Sequence, residues 1–142
     1  MIYFDTSALV PLVVPEPASG AMHAWLAARL TEAHALSDWT ITEFASALGM
    51  RARLGTLQPP QLDAAWAQFR RQVVDRCLVL TPSAEQFAAA ADLALRFDLG
   101  LRAGDALHVA IARGAGVSTL VTLDHAMAAA ASRLGLPVAS PA

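Results

Sequence analysis

The sequence predicts an α/β fold: a mostly parallel, doubly wound central sheet of about four or five short strands flanked by helices. Short apolar runs recur along the chain and alternate with longer segments whose apolar residues fall three and four apart. Strands separated by helical crossovers pair in parallel. Two of the runs also stop abruptly at an acid, and in open α/β sheets sites form just beyond the carboxyl ends of the strands.

Met1 to Phe4 is the first apolar run, and it ends at Asp5-Thr6-Ser7. Asp5 therefore falls at a strand end, where it also suits the N-cap of a following helix. That helix is expected over Ala8 to Val14, disturbed by Pro11 and closed by Pro15 and Pro17. Met22, Trp25, Leu26 and Leu30 give an amphipathic helix over Ala18 to Arg29. Ala35 to Ser37 reads as a second strand, followed by a helix with Ile41, Phe44, Ala45 and Leu48 on one face. Glu43 lies near the start of that helix, and Thr40 with Glu43 fits a capping box.

Gly55 and Pro59-Pro60 punctuate the chain before a helix carrying Leu62, Ala65, Trp66, Phe69 and Val73 in register, with Arg70 and Arg71 on its outer face. Cys77 to Leu80 is a third strand. Ser83 with Gln86 forms a second candidate capping box and opens a helix reaching about Phe97. Leu101 to Ala110 then begins as an Arg-Ala-Gly loop and becomes a strongly apolar helix with Asp105 on its first turn. Negative charge is favourable there by roughly 0.3 to 1 kcal/mol. Thr119 to Leu123 is a further strand run, ending at Asp124 before an Ala-rich helix over Ala126 to Leu134. Val138 belongs to a last short strand.

Composition narrows the function. A chain of 142 residues suits one domain spanning residues 1–142 and long enough for a single core. A formal charge of −2 gives no broad basic field of the kind duplex-DNA binders carry, so nucleic-acid contact must be local. Every basic residue is Arg, which removes mechanisms that need a Lys, including those of haloacid-dehalogenase-like phosphatases and receiver domains. The lone Cys77 makes no intrachain disulfide and suits a reducing compartment. With no signal-like opening and no apolar run of bilayer length, the expected location is cytoplasmic and the chain is not expected to contact a membrane. A 56% hydrophobic content leaves apolar residues available for a partner surface, with Trp25, Phe44 and Leu48 as candidates.

Asp5, Glu43, Asp105 and Asp124 thus occupy equivalent points of the map. Helix caps and a cation site put them in the same places and differ only in whether the acids converge. Packed carboxylates repel, and a divalent cation relieves that repulsion. Oxygen-only ligands favour Mg2+ or Mn2+ over Zn2+, and such ions activate water and stabilise the leaving oxygen in phosphodiester cleavage. His108 follows Asp105 by three residues, either as its hydrogen-bond donor or as a core histidine satisfied by backbone. Thr6, Ser7 and Thr122 offer hydroxyls nearby, His125 adjoins Asp124, and Arg102 adjoins the Asp105 turn.

The ordered set Phe4-Asp5-Thr6-Ser7, Thr40-Ile41-Thr42-Glu43-Phe44, Leu101-Arg102-Ala103-Gly104-Asp105-Ala106-Leu107-His108 and Thr122-Leu123-Asp124 resembles the PIN-domain ribonucleases of the VapC toxin type. The likeness spans essentially the whole chain. It implies a PIN-like fold and an acidic metal site of Asp5, Glu43, Asp105 and Asp124, the last being less uniform in that family. It also implies cleavage of RNA with Mg2+ or Mn2+, homodimerisation, and inhibition by a small antitoxin that lies across the toxin and pushes a basic side chain toward the acids. A non-catalytic PIN-like module that binds RNA or a protein partner is the alternative.

Overall fold

A computed structural model describes residues 1–142. Five strands form one sheet: β1 (Ile2–Phe4), β2 (His34–Ser37), β3 (Leu78–Leu80), β4 (Thr119–Val121) and β5 (Val138–Ala139). Their spatial order is β3-β2-β1-β4-β5, and every neighbouring pair is parallel. Seven α-helices connect them: α1 (Thr6–Val13), α2 (Ser19–Ala27), α3 (Asp38–Arg53), α4 (Pro59–Gln72), α5 (Ala84–Leu95), α6 (Ala103–Gly114) and α7 (His125–Arg133).

Strand alternation sorts the core into two layers. Ile2, Phe4, Leu36 and Val121 face α1 to α4, together with Leu9, Phe44 and Phe69. Tyr3, Ala35 and Leu120 face the opposite way, onto α5 to α7. On the first side the Phe44 and Phe69 rings stack with centroids 3.7 Å apart. Chain direction reverses at β1: the crossover through α1 and α2 places β2 on one flank, and the later one through α5 and α6 places β4 on the other. The crevice beyond β1 and β4 is therefore the switch point, where ligands collect in such sheets.

Several expectations move at this level. α1 starts at Thr6 and keeps Pro11 inside it, because capping by Asp5 sets the start two residues early. α2 is shorter than the Ala18 to Arg29 pattern and leaves Leu30 exposed. Phe44 and Leu48 are fully buried, so they belong to the core and supply no partner surface. The helix face that carries them packs onto α1 and α4. Trp25 is half-buried and meets Phe4 edge-on at 6.1 Å. No helix is long and apolar enough to cross a membrane.

Candidate active site

Asp5 immediately follows β1 and caps α1. Its Oδ1 accepts from Ser7 Oγ at 2.8 Å and from the Ala8 N–H at 3.3 Å, and its Oδ2 from the Ser7 N–H at 3.3 Å. Ser7 Oγ also accepts the Leu123 N–H at 2.8 Å and lies 3.3 Å from Thr122 Oγ1, so one hydroxyl stitches the ends of β1 and β4 together. Asp5 is 3% exposed. Burial raises its pKa above the ordinary carboxylate value, opposed by positive charge on His108 and by the Ser7 and Ala8 hydrogen bonds.

Asp124 follows β4 and caps α7, its Oδ1 accepting from the Met127 N–H at 2.8 Å. Asp105 sits in the first turn of α6, where its Oδ2 accepts the Arg102 N–H at 3.1 Å. Burial raises the Asp105 pKa. The Arg102 N–H pulls the other way, while the charges of Asp124 and Glu43 push it further up. Asp105 therefore senses two of the other three acids directly.

Glu43 departs from the capping-box reading. The capping box of α3 is made by Ser37 and Thr40, with the Thr40 N–H donating to Ser37 Oγ at 3.2 Å and the Ser37 N–H to Thr40 Oγ1 at 3.1 Å. Glu43 is thereby released from capping and turns into the crevice. Its Oε1 accepts from Thr6 Oγ1 at 2.7 Å and pairs with His108 Nε2 at 2.5 Å. Burial alone would raise its pKa. The His108 hydrogen bond and charge, with the Thr6 hydroxyl, outweigh that and lower it. His108 is accordingly neither a partner of Asp105 nor satisfied by backbone. It is fully buried between Glu43 and the Tyr3 hydroxyl, whose Oη lies 2.8 Å from Nδ1.

One pattern joins these acids. Glu43, Asp105 and Asp124 each anchor one carboxylate oxygen and leave Oε2, Oδ1 and Oδ2 respectively without a protein partner. For Asp105 and Asp124 the backbone N–H contact occupies one oxygen and leaves the other free, so a helix-cap role does not exclude a cation ligand there. None of the four acids is paired with an arginine. No group of three or more His, Cys, Asp or Glu side chains is arranged closely enough to hold a metal ion as the structure stands. The donor chemistry, oxygen only and anionic, fits a hard divalent cation.

Gly104 and Trp39 crowd Glu43, a role the sequence assigned to neither. A Cβ on Gly104 would lie 2.9 Å from Glu43 Oε2 and 3.2 Å from the Trp39 ring. Trp39 Nε1 is buried without a hydrogen-bond partner, and the indole also lines an apolar cavity of about 310 Å³ with Phe87, Ala94 and Leu107. A larger cavity, about 590 Å³, lies elsewhere between α5 and α6, around Arg96 and Arg113. Tyr3 too was missed, since only the β1 alternation hinted at its facing α6.

Comparison with known proteins fits this architecture. The family model described as "PIN domain" matches residues 2–132. The chain belongs to the PIN-domain family. This PIN domain is 32% identical over 145 residues to Ribonuclease VapC35 of Mycobacterium tuberculosis, covering 99% of this chain and 97% of the relative. Among solved structures it resembles FitAcB from Neisseria gonorrhoeae, with a TM-score of 0.73 at 22% identity over 99% of this chain and 98% of that one. It likewise resembles Mycobacterium tuberculosis VapC20, described as a sarcin-ricin loop cleaving toxin, with a TM-score of 0.72 at 20% identity over 96% of both chains. At those identities the two structures speak for the fold of the PIN domain.

Proposed function

We propose that residues 1–142 act as one PIN domain, a VapC-type toxin that hydrolyses RNA phosphodiester bonds with Mg2+ or Mn2+ held by Asp5, Glu43, Asp105 and Asp124. The observation that carries this reading is the set of carboxylates with no arginine counter-charge, of which Glu43, Asp105 and Asp124 are each fixed through one oxygen with the other left over. When bound, a divalent cation would supply an activated water and charge stabilisation for the leaving oxygen. The chain's own part is positional. Ser7 and the start of α1 hold Asp5, the Arg102 N–H fixes Asp105, and Met127 fixes Asp124. Arg102 is exposed beside the acids and outside any ion pair, and so is suited to an RNA phosphate.

Similarity to Ribonuclease VapC35 over nearly the whole chain supports the RNA substrate. We further propose a cytoplasmic location, homodimerisation and inhibition by a cognate antitoxin. The exposed Phe87, Leu95 and Phe97 replace Phe44 and Leu48 as the apolar side chains available to partners.

The test is cleavage of structured RNA with Mg2+ or Mn2+, with and without EDTA, by the parent, Asp5→Asn and Asp105→Asn. Cleavage by the parent that EDTA removes and that neither variant performs is the expected result. Equal cleavage by all three would overturn the proposal. No cleavage by the parent, with tight binding of a partner, would favour the non-catalytic module.

A further inference from the structure

We infer that His108 and Tyr3 are positioning residues that hold the Glu43 carboxylate with Oε1 occupied and Oε2 left for the divalent cation. The inference rests on the reading of Glu43 as a metal ligand and adds the means by which that ligand is aimed.

The polar chain begins in the first turn of α3. Backbone N–H groups of Ser37 and Thr40 donate to the opposite hydroxyls, so Ser37 Oγ and Thr40 Oγ1 each retain a proton to give. Tyr3 Oη lies 2.9 Å from Ser37 Oγ and 3.4 Å from Thr40 Oγ1. It can accept there, and it lies 2.8 Å from His108 Nδ1, as donor to a neutral ring or acceptor from a protonated one. At the far side of the ring an ionised carboxylate only accepts, so Nε2 carries the proton that bonds Glu43 Oε1. Thr6 Oγ1 donates to the same oxygen. Two donors on Oε1 and none on Oε2 leave the carboxylate one orientation.

The arrangement is costly as mere filling. Tyr3 is 0% exposed and His108 1% exposed, and buried hydroxyl and imidazole groups destabilise unless fully hydrogen-bonded. An apolar pair would occupy the same space between β1 and α6 without that requirement. The network closes instead on the one acid that no helix cap anchors. Asp5, Asp105 and Asp124 are each fixed by backbone N–H groups, whereas Glu43 receives only side-chain donors. Tyr3 and His108 do for Glu43 what the helix starts do for the others. Partners of ligating groups commonly govern metal affinity by 10- to 100-fold, by fixing orientation.

Mn2+ binding to the metal-free protein, followed by calorimetry or by the electron paramagnetic resonance of free Mn2+, tests this without reference to cleavage. His108→Ala is expected to weaken Mn2+ binding by about 10- to 100-fold. Tyr3→Phe shifts it the same way by less, and His108→Gln, whose amide can still donate, recovers part of the loss. Combined with Glu43→Gln, His108→Ala adds no further weakening, because both act through one carboxylate. A general packing defect would instead add. Parental Mn2+ affinity in folded His108→Ala and Tyr3→Phe, or additive losses in the double variant, would overturn the positioning role. If His108→Ala does not fold, Tyr3→Phe, which removes a single oxygen from an intact ring, decides alone. Unchanged binding in Glu43→Gln would refute the ligand assignment and this inference with it. Weakened binding in Glu43→Gln beside parental binding in the other variants would refute the inference alone.

Discussion

At Gly104 the acids leave no room for a methyl group. Its Cβ would fall 2.9 Å from Glu43 Oε2, the oxygen with no protein partner. Overpacking costs about 1 to 3 kcal/mol, while replacing a helical Gly by Ala returns up to about 1 kcal/mol. Gly104→Ala should therefore leave the melting temperature only modestly lower. A misplacement of about 1 Å can nonetheless cost 100-fold in rate, so cleavage is expected to fall far more than stability. Gly49 on α3 is the control: only the flexible end of Arg53 comes within 3.7 Å of its added Cβ, so Gly49→Ala should raise the melting temperature and spare cleavage. Equal effects of the two substitutions would contradict this assignment of space. Cys77 gives a separate check. Burial pushes its thiol up to about 11 from 9.0, so at pH 9 only about 1% is thiolate, against about half for an unburied thiol. Alkylation of native protein at pH 9 should run correspondingly slower than in denaturant.

Among the elements, α3 carries most of what the sequence concealed. Ser-x-x-Thr lacks the Glu or Gln that marks a capping box, and Thr40-x-x-Glu43 possesses it three residues later. The reading from pattern was thus displaced by almost one turn, and that displacement is what frees Glu43. Ser83 with Gln86, where the pattern is complete, was read correctly. The two caps should differ in weight. Ser83 is exposed, and its replacement by Ala costs about 1 kcal/mol. Ser37 is fully buried and also hydrogen-bonds Tyr3, so Ser37→Ala leaves a buried phenol short of a partner and adds about 1 to 3 kcal/mol to the cap loss. Thermal melts should place Ser37→Ala well below Ser83→Ala. The reverse order would mean that the Tyr3 network contributes little to folding.

For the molecule as a whole, local signals carried the topology and failed at long range. Asp5 and Asp124 announced themselves because strand ends are visible in a run of apolar residues, and the parallel order followed from the alternation of elements. Tyr3 and His108, 105 positions apart, meet only because β1 lies against α6, a contact that no local pattern encodes. Phe44 and Leu48 show the same limit from the opposite side, since one apolar helix face looks alike whether it meets α4 or a partner. What the fold gathers at its switch point is negative charge: Asp105 senses both Glu43 and Asp124, and no arginine answers any of them.

Such a site should be felt by the entire fold. A ligand that binds only the native state stabilises it by RT ln(1 + [L]/Kd), about 2.7 kcal/mol at one hundred times Kd. For a chain of 142 residues that corresponds to a rise of roughly 5 to 10 °C in melting temperature. Mn2+ should therefore raise the melting temperature of the parent, and EDTA should reverse the rise. Asp105→Asn removes one of the repelling charges, so it should melt no lower than the parent without metal, yet respond less to Mn2+. Melting curves that shift equally for parent and variant would place the cation elsewhere on the molecule. A parent curve indifferent to saturating Mn2+ would mean that the charge at the switch point is balanced by something other than a metal.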